Sequence, residues 1–295
     1  MAGFQFNTVA DIRVGAGAAQ QLGALCQQLG IAKPLIVTDP GLVQIGLVDP
    51  VRDGVARVCD EVSVFSAVTA DPSESVVEAA LHALKTASAD GVIGLGGGSS
   101  MDVAKVIAVL ATGQQSLPDL YGVDQVTSER FPLVLIPTTA GTGSEVTPVA
   151  VITTGATTKA GISSNRLLPD VAVLDPQLTL GLPPHVSAMT GIDAMVHAIE
   201  AFTSKVKKNP ISDTLARRAL QLLAGHQRRV LSHPNDMAAR EAMLLGATLA
   251  GQAFANAPVA AVHALAYPLG GHYHMPHGLS NALMLPAVLR FNAPV

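Results

Sequence analysis

The sequence predicts an α/β domain followed by an all-α domain. Short β-branched runs alternate with helical patterns up to Pro183, and beyond Pro183-Pro184 they give way to long Ala/Leu-rich segments. Length agrees, because 295 residues exceed the roughly 100 to 200 of one ordinary domain. The change of pattern sets a boundary near residue 185, dividing the chain into 1–185 and 186–295. Apolar residues are 49% of the chain and charged residues 14%, so both domains can build cores and the composition is far from that of disordered segments. Eighteen basic against 22 acidic residues, with no long run of either sign, offer no face to a phosphate backbone; nucleic acid is not an expected partner.

The expected strands are Pro34 to Thr38, Val62 to Phe65, Val92 to Leu95, Leu133 to Ile136, Val149 to Thr153 and Val171 to Leu174. Ser73 reads as a helix N-cap, after which Val77, Ala80, Leu81 and Leu84 line one apolar face, the pattern of a parallel crossover. In the second half, Ile211 to Ala224, Ala238 to Ala255 and Leu279 to Arg290 read as helices. Ala242 to Val262 is the nearest thing to a membrane span, but Thr248, Gln252, Asn256 and Pro258 interrupt it. The first three recur every fourth residue, which predicts a buried helix with a polar stripe beside a polar site. Cys26 and Cys59, in helix-like and strand-like stretches, read as buried thiols of a reducing compartment. With no secretory pattern at the N-terminus, the expectation is a cytoplasmic protein with no membrane partner.

Chemistry is concentrated in a few motifs. Val92-Ile93-Gly94-Leu95-Gly96-Gly97-Gly98-Ser99-Ser100-Met101-Asp102 is a strand, a glycine turn and a helix start. Adjacent glycines let the backbone approach a bulky anion, and the unpaired N–H groups of the helix's first turn supply donors, so a pyrophosphate fits there. A second loop, Pro137-Thr138-Thr139-Ala140-Gly141-Thr142-Gly143-Ser144-Glu145, also follows an apolar strand and could line the same nucleotide. Gly15-Ala16-Gly17 begins like a dinucleotide fingerprint but lacks its last glycine; Asp11 to Val14 before it is too short and polar for a central strand, so these read as turn glycines. Asp39, at the end of the apolar run Leu35 to Thr38, suits ribose hydroxyls and would repel a 2′-phosphate, favouring NAD over NADP; a turn-opening Asp before Pro40-Gly41 fits the spacing equally well.

Asp193 and His197 stand four apart, on one helix face, a spacing that suits a divalent metal. Thr190 with Asp193 also resembles a capping box. Four histidines, His263, His272, His274 and His277, then fall within fifteen residues, a density that core packing explains poorly. The residues alone do not choose among His272, His274 and His277, and the alternating pair 272 and 274 also reads as solvated. Glu200 is a possible ligand, though a charged residue at a helix surface is the commoner case.

With these motifs assembled, the sequence resembles the iron-dependent (group III) alcohol dehydrogenases over essentially the whole chain. The matching segments are Val37-Thr38-Asp39, Gly96-Gly97-Gly98-Ser99 with Asp102-Val103-Ala104-Lys105, Pro137 to Glu145, Gly191-Ile192-Asp193-Ala194 with His197 to Ala201, His263-Ala264-Leu265-Ala266 and Pro276-His277-Gly278. The resemblance implies a dinucleotide-binding α/β domain and a helical, dehydroquinate-synthase-like C-terminal domain with metal in the cleft. It implies Asp193, His197, His263 and His277 as metal ligands, which settles the histidine ambiguity. It also implies Asp39 at the adenosine ribose and Gly96, Gly97, Gly98, Ser99 and Asp102 at the pyrophosphate turn. Thr138, Thr139 and Thr142 would lie along the cofactor, and Lys159 near its ribose.

Two departures stand out. Many family members have a histidine where this chain has Tyr267, a phenol that can contact substrate but is not protonated near neutrality. Members also continue well past the equivalent of Val295 in further helix, so a C-terminal portion is expected to be missing. The implied activity is reversible hydride transfer between NAD(H) and a small primary alcohol or aldehyde, in a homodimer or larger assembly. One carboxylate and three imidazoles suit Fe²⁺ but would hold Zn²⁺ at least as tightly, so iron follows from the resemblance alone. Two rivals remain: a lyase or cyclase of the dehydroquinate-synthase type, and a non-catalytic scaffold that kept the fold. The Lys205, Lys207 and Lys208 group gives the first little support as a grip for an acidic substrate, and an intact ligand set argues against the second.

Overall fold

The computed structural model describes residues 3–155, 158–273 and 275–293. They form two compact units, one of Val9–Thr138 and Ser144–Leu178, the other of Met1–Thr8, Thr139–Gly143 and Thr179–Val295. The first is α/β. Its elements are β1 (Asp11–Val14), α1 (Leu22–Leu29), β2 (Pro34–Val37), α2 (Pro40–Gln44), α3 (Val48–Ala56), β3 (Ser63–Phe65), α4 (Glu74–Thr86), β4 (Gly91–Gly96) and α5 (Gly98–Leu110). The chain continues through β5 (Gly122–Val123), β6 (Leu133–Pro137), β7 (Val149–Thr154), β8 (Thr158–Ser163) and β9 (Val171–Leu174).

Six strands make an all-parallel sheet in the order β1-β9-β6-β4-β2-β3. Its inner strands are apolar on both faces because helices cover both. Leu35 and Val37 of β2 and Leu133 and Leu135 of β6 join one core layer with Val77, Ala80 and Leu84 of α4 and Val103 and Ile107 of α5. The alternate residues Ile36, Val134 and Ile136 join the other layer with Leu22 and Leu25 of α1 and Val51 and Val55 of α3. A Cβ at Gly94 would meet Leu135 at 2.6 Å and Ala104 at 2.9 Å, so α5 lies directly against β4. From β2 the chain proceeds outward to β3, then returns to β4 on the other side of β2, which puts the topological switch point between the carboxyl ends of β2 and β4.

Several local expectations change. The run Val149 to Thr153 is not in the parallel sheet: as β7 it pairs antiparallel with β8, in a three-stranded sheet that β5 completes. Its burial explains this, since Ala150 and Ile152 are fully buried while their neighbours are half-buried, the one-faced pattern of an antiparallel ribbon. Cys59 lies not in a strand but in the turn after α3, where Sγ donates to the Ile31 carbonyl; both cysteines are buried and free. Ser73 does precede α4, but its hydroxyl pairs with that of Ser75 instead of capping the helix. The short, polar β1 is an edge strand, and Gly15 and Gly17 leave it with φ of 145° and 82°.

The second unit is helical: α6 (Pro184–Thr203), α7 (Pro210–Ser232), α8 (Met237–Asn256), α9 (Ala261–Tyr273) and α10 (His277–Asn292). Alanines 194, 198 and 201 of α6, 216 and 219 of α7, and 247 and 250 of α8 fill its core, and their small side chains bring the helices close. Thr190 and Asp193 both lie inside α6, so they form no capping box. The polar stripe of α8 does a different task from the one expected. Gln252 donates to Thr8 Oγ1 at 2.8 Å, and Asn256 both accepts from the Asn7 N–H (2.7 Å) and donates to the Asn7 carbonyl (2.8 Å), so the stripe fastens the N-terminal segment. Among the described residues, no helix is long and apolar enough to cross a membrane.

Candidate functional site

Asp193, His197 and Glu200 stand at i, i+4 and i+7 of α6 and so share one face. His263 comes from α9 and His277 is the first residue of α10. The structure brings Asp193, His197, His263 and His277 together: one ligand atom from each lies within 4.8 Å of all the others. Two glycines make that convergence possible. A Cβ at Gly191 would fall 1.9 Å from Gln227 Oε1 of α7, and one at Gly278 would fall 2.4 Å from the Met189 carbonyl of α6. Gly278 therefore lets the start of α10 press against α6, which carries His277 to Asp193.

The group fits a metal ion. Ligand atoms held about 2.1 Å from one ion are at most about 4.2 Å apart, so this set needs only small inward movement to close on it. The donors are one carboxylate oxygen and three imidazole nitrogens, without thiolate, a set that takes Fe²⁺ or Zn²⁺. Asp193, His197 and His263 are buried, whereas the His277 side chain is 36% exposed, which leaves the group open on one side.

Electrostatics supports the same reading. Burial works against the Asp193 charge, but the facing imidazoles and the Asn281 amide outweigh it and hold the carboxyl below its usual value. Burial, aided by the other imidazoles, pushes His197 down to about 4 against the pull of Asp193, so its ring is neutral near pH 7. That ring stacks on Phe254 (4.4 Å) and on His263 (4.7 Å, 17° between planes). Glu200 is not at the surface as expected. It is buried, its Oε1 accepts from the Val262 N–H and its Oε2 from His263 Nδ1, each at 2.6 Å. These hydrogen bonds overcome the cost of burial and keep Glu200 ionised. A proton fixed on Nδ1 leaves His263 Nε2 with its lone pair toward Asp193, the outer-sphere carboxylate arrangement of metal-binding histidines.

Of the other histidines in the cluster, His272 is exposed on α9 and His274 lies outside the described residues. Tyr267 is half exposed one turn after His263, its ring stacked 5.8 Å from that of His277. Asn281 was not foreseen; it is buried inside the ligand set.

In the α/β unit, β4 ends at Gly96 with φ of 152°, Gly97 is the N-cap of α5, and no acidic residue occupies that helix's first turn. A Cβ at Gly96 would strike Ser100 Oγ at 2.6 Å and lie 3.4 Å from Asp39 Oδ2. Gly96 and Asp39 thus meet at the switch point, where sheets of this kind take ligands. Asp39 Oδ1 also caps α2 by accepting from the Leu42 N–H, the local role that its place before Pro40-Gly41 suggested. Thr138 is buried, with its N–H donating to the Gly96 carbonyl. Asp102 points inward instead of to the turn: it accepts from Ser144 Oγ (2.7 Å) and the Val151 N–H (3.0 Å). Lys159 donates to Asp71 at 2.6 Å. In the helical unit, Gly141 and Gly143 of the second loop serve close packing, since Cβ atoms there would meet Thr190 at 2.7 Å and Gly251 at 2.6 Å.

Two family models match the chain: iron-containing alcohol dehydrogenase over residues 10–176, and the C-terminal domain of the Fe-containing alcohol dehydrogenase family over 187–295. The chain belongs to the iron-containing alcohol dehydrogenase family. It is 46% identical to long-chain-alcohol dehydrogenase 1 of Geobacillus thermodenitrificans over 94% of this chain and 71% of the relative. Among solved structures, it superposes on 1,3-propanediol oxidoreductase with a TM-score of 0.95 at 39% identity, covering 99% of this chain and 76% of that one. Sulfoacetaldehyde reductase from Bifidobacterium kashiwanohense, solved in complex with NAD⁺, gives 0.91 at 31% identity, covering 99% and 75%. The family's C-terminal model matches the helical unit over residues 187–295, and the chain spans 71% of the length of the Geobacillus relative.

For this dehydrogenase, sequence reasoning missed Asn281 and raised Glu200 only as a possible ligand, not as the residue that holds His263. Glu200 had a signal, since it shares the face of Asp193 and His197 three residues on. Asn281 stands four after His277 on α10 and shares its face, but a neutral amide carries no chemical flag.

Proposed function

We propose that the protein catalyses reversible hydride transfer between NAD(H) and a small primary alcohol or its aldehyde. The observation that carries this reading is the convergence of Asp193, His197, His263 and His277 on one point. These residues would hold a divalent metal, iron by family membership with Zn²⁺ as the alternative. When bound, such an ion supplies Lewis acidity, drawing charge from the oxygen of the carbonyl or alcohol.

The chain's own residues do the rest. Asp193 contributes a single negative charge and His197 stays neutral through burial, so the ligand set leaves a divalent ion with net positive charge. Glu200 fixes the orientation and tautomer of His263. The reading assigns Tyr267 to substrate contact, its phenol being beside His277 and half exposed. Gly96, Gly97, Gly98 and Ser99 accept the pyrophosphate at the start of α5, where the first-turn N–H groups are available. Asp39 accepts from the ribose hydroxyls, and its charge disfavours NADP. Thr138, Thr139 and Thr142 lie along the cofactor, Asp102 braces the turn from within, and Lys159 would reach the ribose by leaving Asp71.

The same reading makes the enzyme cytoplasmic, supported by two buried free thiols, and a homodimer or larger, supported by the family resemblance. Lys208, of the basic group that a dehydroquinate-synthase-type enzyme would need, is engaged by Asp213 and the Phe202 carbonyl. The test is a panel of alcohols run with NAD and NADP on chelator-treated protein, before and after Fe²⁺ or Zn²⁺ is restored. NADH formation that appears only with metal supports the reading; a fully metal-loaded protein that forms none overturns it.

A further inference from the structure

Neither the motifs nor the family resemblance gives Asn281 a role, yet it is fully buried within the ligand set. Its Nδ2 lies 2.5 Å from Asp193 Oδ1 and 3.2 Å from Nε2 of both His263 and His277. Its Oδ1 is buried with no hydrogen-bond partner. An amide nitrogen donates and cannot accept, and its two hydrogens serve three neighbours; toward Asp193 and His263 the contacts are donations into lone pairs. For His263 this direction has independent support, because Glu200 holds the ring's proton on Nδ1. An outer-sphere residue bonds the atom of a ligand that faces away from the ion, as Glu200 does. Asn281 instead contacts Asp193 Oδ1 and Nε2 of both histidines, at His263 the nitrogen opposite the one Glu200 holds.

We propose that Asn281 is a positioning residue that stands in for the cation in the metal-free protein. Its two N–H groups hold Asp193, His263 and His277 converged, and metal uptake exchanges those hydrogen bonds for metal–ligand bonds. The inference rests on the reading of the four residues as metal ligands. Without the amide, the buried carboxylate would face the His263 Nε2 lone pair, electron pair against electron pair, and the group would open. With it, the site stays formed and reloads without rebuilding. Since metal uptake gives up these bonds, linkage requires that they weaken metal binding by the free energy with which they stabilise the converged group.

The test uses the full chain, stripped by chelator, as wild type, Asn281→Leu and Asn281→Asp. Thermal unfolding is measured with and without Zn²⁺, and Zn²⁺ affinity by competition with a chromophoric chelator. In Asn281→Leu the metal-free form should melt several degrees lower, the Zn²⁺-loaded form should match wild type, and Zn²⁺ should bind about tenfold tighter, the scale of one charged hydrogen bond. Asn281→Asp keeps the shape but sets a second carboxylate against Asp193, so both effects should grow. A purely structural Asn281 would lower both melting points equally and leave affinity unchanged; that result, or weaker Zn²⁺ binding in both variants, overturns the inference while leaving the metal reading intact. A wild type that binds no Zn²⁺ or Fe²⁺ overturns the metal reading and this inference with it.

Discussion

In the α/β unit, fully buried Lys105 donates to Ser144 Oγ and the Val149 carbonyl, each at 2.8 Å, and to Thr147 Oγ1 at 3.3 Å, with Asp102 at 3.7 Å. In the helical unit, buried Asp193 faces three imidazoles and an amide, with no lysine or arginine paired to it among the described residues. Both clusters bury ionisable groups, but they balance differently. The ammonium spends its three hydrogens on three acceptors and Asp102 takes two donors, so the cluster is closed and ties α5 to β7. Burial there resists charge on both partners, raising Asp102 and lowering Lys105 to about 8. The Asp193 group keeps its negative charge and gathers three imidazoles around it. Burial alone does not mark a candidate metal site; a buried, charged carboxylate gathered with three imidazoles does.

Breaking each cluster should give opposite symptoms. The largest effect is expected from His263→Ala, which removes one ligand: NADH formation on metal-supplemented protein should fall on the order of 10³-fold, with the α/β unit still folded by circular dichroism. Lys105→Met should leave metal content per chain unchanged but cost about 3 kcal/mol in stability, because it strands a buried carboxylate. It should also change the pH response. A lysine whose folded pKa is about 8, below its usual 10.5, opposes folding when charged, so wild-type stability gains from this group as pH rises from about 8 to 10.5. Thermal unfolding of Lys105→Met over that range should lack the gain. Glu200→Gln should have the smallest effect, a metal affinity about 10- to 100-fold weaker by chelator competition, since a neutral amide holds the His263 proton less firmly.

The same contrast explains what could be read in advance. Strands β2, β4, β6 and β9 were legible because burial on both faces demands unbroken apolar runs. The polar Thr158–Ser163 strand and the two-residue Gly122–Val123 strand lie in the small mixed sheet and carry no such run. At the site, the Asp193 and His197 spacing was visible, but His277 was separated from His272 only by family resemblance. The physical reason became plain in three dimensions, where Gly278 clears the Met189 carbonyl and leaves room for α10. Glu200 was misjudged because charge on a helix usually means solvent, and the partner that buries it, His263, is 63 residues away in sequence. The stripe of α8 was seen correctly as polar and buried, while its partners, Asn7 and Thr8, sit at the far end of the sequence where no local pattern could name them.

The central claim is tested most directly by crystals of the full chain grown with Fe²⁺ or Zn²⁺ and measured at the metal's absorption edge. One anomalous peak per chain, bonded to Asp193, His197, His263 and His277 at about 2.1 Å, is the expected result. A peak elsewhere, or fully occupied metal that leaves any of those four side chains uncoordinated, would contradict it.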